Sequence, residues 1–167
     1  MPGTYTPAQM FDHELNPLKG WPSPYAVDYS AEYADGVTDV YAGMCCSLDS
    51  NGNFVKGVTT SKMGIFIFQN QSDFDVRSDV GNVAGGKGSG LVACGAYELQ
   101  TTEFVADTYA PNDTLTVETA GANAGKLKKG TVYTDPIVGV VSSGQSDSEH
   151  DATIKFLAFW PVYVPTT

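Results

Sequence analysis

At 167 residues the chain fits one domain with its own core, and 42% hydrophobic residues with 11% aromatics exclude a disordered protein. A formal net charge of −10, with Arg77 the single arginine, excludes the basic footprint that nucleic acids or anionic membranes require. Only 17% of residues are charged while Gly (18), Pro (9) and Tyr (9) abound, a balance that suits strands and turns rather than solvent-facing helices.

Residues 1–30 hold Pro2, Pro7, Pro17, Pro22 and Pro24 beside the apolar Met10, Phe11, Leu15, Leu18, Trp21 and Tyr25. Proline this dense forbids a long helix or a central strand, so the reading is an extended N-terminal arm laid on its own domain or on a neighbour. The start has neither the basic head nor the apolar core of a secretory signal, and no stretch approaches the ~20 apolar residues of a membrane span. The expectation is a chain kept in a cytoplasm with its thiols reduced.

Residues 31–167 read as one β-domain. Val37–Leu48 alternates by two, DSNG turns, and Asn53–Gly57 returns. Met63–Gln69 (MGIFIFQ) is the densest apolar run, and its branched and aromatic residues predict a buried strand. Gln71–Gly90 has little apolar content and reads as a long surface loop carrying Phe74, Val76 and Arg77. Leu91–Leu99 and Thr102–Ala106 read as strands, and Leu115–Glu118 with Lys126–Gly130 as a second hairpin around TAGANAG. Pro136–Ser142 and Ile154–Val164 complete the set, the latter ending on the aromatics Trp160 and Tyr163. No window sustains a helical period over three turns. The predicted fold is all-β: a compact β-barrel or β-sandwich, jelly-roll or tulip-like, behind the Pro-rich arm. CSLDSNGNFVKG and LTVETAGANAGKLKKG share one order of strand, small-residue turn, short strand and glycine. That is one hairpin grammar used twice rather than a repeat.

Several chemical motifs are approached and missed. Asp49, Asn51 and Asn53 alternate like calcium ligands, but Gly52 stands fourth instead of sixth and Thr60 replaces the glutamate a calcium loop needs at twelve. A hairpin with positive φ at Asn51-Gly52 is the reading. Cys45 and Cys46 lack zinc spacing and, as strand neighbours, point to opposite faces, so they read as small buried hydrophobes. Gly81–Gly88 (GNVAGGKG) fits G-x-x-x-x-G-K, yet Gly88 stands where Ser or Thr must hold Mg²⁺ and GLVACGAYEL downstream reads as strand. His13 and His150 fall in polar segments, no G-x-S-x-G elbow exists, and no carboxylate pair is singled out. No catalytic site and no cofactor is expected. A carbohydrate-binding module stacking sugars on Tyr33, Tyr41, Tyr97 or Tyr109 is the alternative.

AGMCCSLDSNGNFVKGV, then ACGAYELQTTEFVADTYAPNDTLTV, then GKLKKGTVYTDPIVGVVSSG, resembles the decoration (cement) proteins of tailed-phage heads. The resemblance spans about residues 35–164 and lies in segment style and order. It implies a compact β-domain on the outside of a virion, assembled in a host cytoplasm. Its implied partners are the major capsid protein, whose neighbouring subunits it clamps, and further copies of itself as dimer or trimer. The arm is not part of the pattern. An acidic surface and aromatic-rich ends agree with such a role, since Trp and Tyr are common interface anchors. The contact candidates are Met10, Phe11, Leu15, Leu18, Trp21, Tyr25, Phe74, Val76, Arg77, Trp160 and Tyr163.

Overall fold

The computed structural model describes residues 15–19, 28–58, 63–70, 85–93, 98–145 and 153–162. Its strands are β1 (Leu15–Lys19), β2 (Asp28–Glu32), β3 (Cys45–Leu48), β4 (Phe54–Lys56), β5 (Ile65–Asn70) and β6 (Lys87–Val92), followed by β7 (Glu98–Thr101), β8 (Thr114–Val117), β9 (Leu127–Lys129), β10 (Ile137–Gln145) and β11 (Ile154–Val162). Among the described residues a single 3-10 turn, Gly121–Asn123, is the one helical element. Two antiparallel sheets result, β2-β6-β5-β3-β4 and β1-β7-β11-β10-β8-β9. The fold is all-β, as the short apolar runs predict.

With β1 set aside, the two sheets have one topology. In each, the first strand in sequence pairs with the fifth, the fifth with the fourth, the fourth with the second and the second with the third. Each sheet also curls until its ends meet. Tyr33, after β2, forms a parallel bridge with Phe54 of β4, and Phe104, after β7, does the same with Leu127 of β9. The match extends to single hydrogen bonds. Gly57 N–H donates to Cys45 O at 3.0 Å, as Gly130 N–H does to Thr114 O at 2.9 Å. Gly43 N–H donates to Ile67 O at 2.8 Å, as Asn112 N–H does to Val141 O at 2.9 Å, and both donors have positive φ (95° and 74°). The grammar seen in two hairpins thus covers five strands, giving a first unit (β2–β6) and a second (β7–β11). Few equivalent positions keep their residue, Lys56/Lys129 and Gly57/Gly130 among them, so the sequence shows only the hairpins.

Two cores follow. Tyr33, Val40, Cys46, Phe54, Ile65 and Ile67 fill the first unit. Leu99, Tyr109, Leu115, Val117, Leu127, Val141, Phe156 and Ala158 fill the second. Cys45, Val58, Phe66 and Ala93 come from the first unit yet join the second core, because the outer face of the first sheet lies against the second unit. Successive strand residues point to opposite faces, so Cys45 and Cys46, or Phe66 and Ile65, enter different cores. This is why the predicted strand MGIFIF is apolar without alternation: both faces of β5 are covered. The Phe66 and Phe156 rings meet at 5.1 Å across the junction.

The structure differs from the sequence reading in several places. Val37–Tyr41 alternates but is not a strand; Gly36 (φ 76°), Asp39 (φ 55°) and Gly43 (φ 95°) break it into turns while Val40 still reaches the core. Strand β6 begins at Lys87, inside the glycine-rich stretch read as loop. Its glycines permit close approach: a Cβ on Gly88 would collide with the Tyr33 ring, and one on Gly90 would stand 2.5 Å from Phe66 O. The first hairpin forms as expected, but Gly52 alone supplies positive φ (85°), Asn51 being absent from the positive-φ residues. The Asp49 carboxylate takes the other part of that work, accepting from Asn51 N–H at 2.8 Å and Asn53 N–H at 2.9 Å. Residues 15–19 and 28–30, read as arm, are strand residues: β1 extends the second unit's sheet and β2 opens the first.

Phe66→Ala removes the side chain on which both units converge. It is expected to cost about 3–5 kcal/mol in a urea titration, as for large-to-small changes in well-packed cores. A cost below ~1 kcal/mol would mean the junction contributes little to folding.

Candidate functional site

Of the sequence-derived contact candidates, Met10, Phe11, Trp21, Tyr25, Phe74, Val76, Arg77 and Tyr163 lie outside the described residues. Trp160 sits in β11, its side chain likewise outside them. Leu15 is 4% exposed and part of the second core, so its side chain is spent within the chain. Leu18 is 41% exposed. Among the described residues the large exposed apolar side chains are Leu18, Val132, Tyr133 and Leu157.

These four flank one band on the outer face of the second unit. Val141 pairs with Phe156, and both are core residues. Their neighbours Val140 and Leu157, also a pair, therefore project from the opposite face. Register extends the row in both directions. Leu157 lies opposite Glu98 of β7, and Leu18 is the extra residue of a bulge opposite Glu98. Val140 lies opposite Thr114, whose Oγ1 donates to Gly130 O at 2.6 Å. Gly130 leads into the turn bearing Val132 and Tyr133. Within the row, Glu98 is buried and accepts a short hydrogen bond from Ser142 Oγ.

The turn is locked. Thr131 N–H donates to Asp135 Oδ2 at 2.8 Å, and the N–H groups of Thr134 and Asp135 donate to Thr131 O at 3.1 and 2.9 Å. Tyr133 is held at φ 76°, a left-handed conformation costing a side-chain-bearing residue roughly 1–2 kcal/mol. Tyr133 thus combines a 53% exposed aromatic ring with a backbone conformation that side-chain-bearing residues seldom adopt.

Among the described residues, the open edge of this sheet is β1. It carries Pro17, which has no N–H to offer, a bulge at Leu18, and Lys19. All three discourage pairing with another strand.

The remaining chemistry reads as structural. Asp49, the first would-be calcium ligand, is engaged with its own hairpin. Among the described residues no three His, Cys, Asp or Glu group to hold a metal ion. Glu103, 2% exposed, stands 3.6 Å from Lys126 Nζ, while its N–H donates to Thr101 Oγ1 at 3.0 Å. Tyr33 and Tyr109 are core residues, the Tyr109 hydroxyl donating to Val105 O at 2.7 Å, so neither offers a face to a sugar. His13, His150 and Tyr97 fall outside the described residues. No described helix is long and apolar enough to cross a membrane. The exposed band was missed in the sequence because Val140, Leu157, Val132 and Tyr133 sit in runs that read as core strand or turn; the only signal was the exposed register that pairing reveals. No family model matches the chain, and no curated protein matches it.

Both described thiols are completely buried. Burial pushes Cys46 up to about 12 against the pull of Lys56, and burial followed by the neighbouring Cys46 holds Cys45 well above the ordinary thiol range. Folded thiols thus keep protons that an unfolded chain releases near pH 9.0. Their contribution to stability is whole below that pH and is lost as pH rises toward about 12. Cys45 and Cys46 are expected to resist iodoacetamide at pH 8 until denaturant is added, as read by peptide mass spectrometry. Cys46→Ala should flatten the alkaline fall in stability. Rapid native labelling at either position would contradict the burial argument.

Proposed function

We propose that the protein is a decoration protein of a tailed-phage head, binding the outside of the shell and bridging major capsid protein subunits in its expanded form. The observation that carries this reading is the set of segments resembling phage cement proteins. AGMCCSLDSNGNFVKGV contains the β3–β4 hairpin, and GKLKKGTVYTDPIVGVVSSG contains β9, the locked turn and most of β10. One of these segments lies in each of the two matched units. Its location on this reading is the virion surface.

The mechanism is thermodynamic. A protein that binds only the expanded lattice adds its binding free energy to that state, by about 2.7 kcal/mol per site when free protein is at a hundred times Kd. Bridging several subunits raises the effect through effective concentration. The net charge of −10 suits the outside of a DNA-filled shell, where no phosphate needs neutralising. The arm supplies the shell contacts, with Met10, Phe11, Trp21 and Tyr25 as apolar anchors.

The informative truncation stops before Leu15, because residues 15–19 are a strand of the sheet. Removing residues 1–14, or substituting Trp21→Ala, should lower occupancy about tenfold on expanded shells of the cognate major capsid protein while Tm stays unchanged; a lost anchor of more than ~1 kcal/mol has that effect. Electron microscopy of decorated shells reads the outcome. Full occupancy by both variants would refute the arm's role, and failure of the intact protein to bind would refute the function.

A further inference from the structure

The two units of one chain meet head to tail. The first presents its outer face, and the second receives it. On the giving side stand Gly43, Cys45, Gly57, Val58 and Phe66. On the receiving side stand Thr101, Val117, Glu118, Thr119 and Gly125. Thr101 Oγ1 donates to Gly43 O at 3.3 Å and Cys45 N–H donates to Gly125 O at 2.8 Å. A Cβ on Gly57 would lie 3.1 Å from Glu118 O. Such a contact joins two different surfaces of one repeated scaffold, so each unit keeps the surface that the other has used.

The structural equivalences locate both leftovers. In the second unit, Cys45 corresponds to Thr114, Phe66 to Val140 and Leu91 to Leu157, because each set pairs in the same register. Phe66 and Cys45 are fully buried and Leu91 packs on the core, whereas Leu157 is 42% exposed. Val58 is buried, whereas Val132 and Tyr133, one and two residues past its counterpart Thr131, are exposed. In the first unit, Ala31 corresponds to Thr101 and Leu48 to Val117. Thr101 and Val117 are buried where the first unit lies over them; Ala31 and Leu48 pack against the first core and stay partly exposed.

We infer that the outer face of the second unit, Val140 and Leu157 with the Val132–Tyr133 turn, is a docking surface for a second copy of this chain, which receives it on the first-unit surface around Ala31 and Leu48. The occupant is specified by continuity: the same scaffold, in the same orientation, already covers the equivalent face inside the chain. Because the two surfaces differ, association is heterologous and yields a ring or an open chain of copies rather than a face-to-face dimer. Copies carrying −10 repel, so association strengthens as salt screens that charge. This inference does not rest on the function proposed above.

Sedimentation velocity on the full chain across a protein concentration series, at low and moderate salt, tests it. The wild type is expected to exceed its 17.7 kDa monomer mass progressively. Leu157→Glu spoils the giving surface and Ala31→Glu the receiving one, and each variant alone should remain monomeric. Mixed together they retain one good interface and should form a species of twice the monomer mass and no larger. Tyr133→Gly should weaken association while Tm holds or rises, since it removes a contact and relieves the φ strain. Should Ala31→Glu fail to fold by circular dichroism, Leu48→Glu takes its place. A wild type that stays monomeric throughout, a Leu157→Glu variant that assembles like wild type, or a mixture that stays monomeric would each overturn the inference.

Discussion

Burial of both faces of β3 and β5 is the constraint on which the rest of the structure depends. A strand covered on one side alternates; these two do not, and every residue from Cys45 to Ser47 and from Ile65 to Ile67 is buried. Alternation sends neighbours into separate cores, so two adjacent strands hold together two bodies that are otherwise distinct. The register of β3 against β5 is consequently fixed by both cores at once. A one-residue slip would place Cys46 where Cys45 belongs and exchange every side chain between compartments.

Sharing strands in this way gives the molecule a polarity. The first unit contributes an outer face to the second, and the second contributes none in return. The glycines at the contact show how closely the backbones approach: Gly57 against Thr119 and Glu118, Gly125 against Met44. Equivalent positions on the unused faces keep the geometry but have a more polar character, with Thr114 in place of Cys45 and Ser142 in place of Phe68. Such a surface is soluble enough to exist bare while retaining apolar points around which contact can form.

Much of the fold was legible in the sequence, and the misses have physical reasons. Hairpins announced themselves because turn chemistry is local: DSNGN and TAGANAG carry their own instructions. Strand β5 was legible because branched and aromatic residues concentrate there. The first four residues of strand β6 were not, since KGSG contradicts strand propensity and makes sense only beside Tyr33 and Phe66, which lie far away in sequence. Val37–Tyr41 failed in the opposite way, with the right alternation but a backbone broken by positive φ. The duplicated topology was hidden because what the units share is register and hydrogen bonding, which many sequences satisfy. The exposed band was illegible for the same reason: which of two alternating sets faces water is decided by the partner strand. Within the segment read as an arm, Leu15 shows that an apolar residue in a Pro-rich stretch can belong to a core.

Strand β1 has one further consequence. A proline, an extra residue and a lysine terminate the larger sheet at its only unclosed side among the described residues, while the other rim of each sheet is sealed by its own curl. Among the described residues, that side therefore offers a poor template along which a foreign backbone could zip. An edge blunted in this way resists amyloid-like growth and leaves contact along it to side chains, which discriminate between partners as main-chain ladders do not.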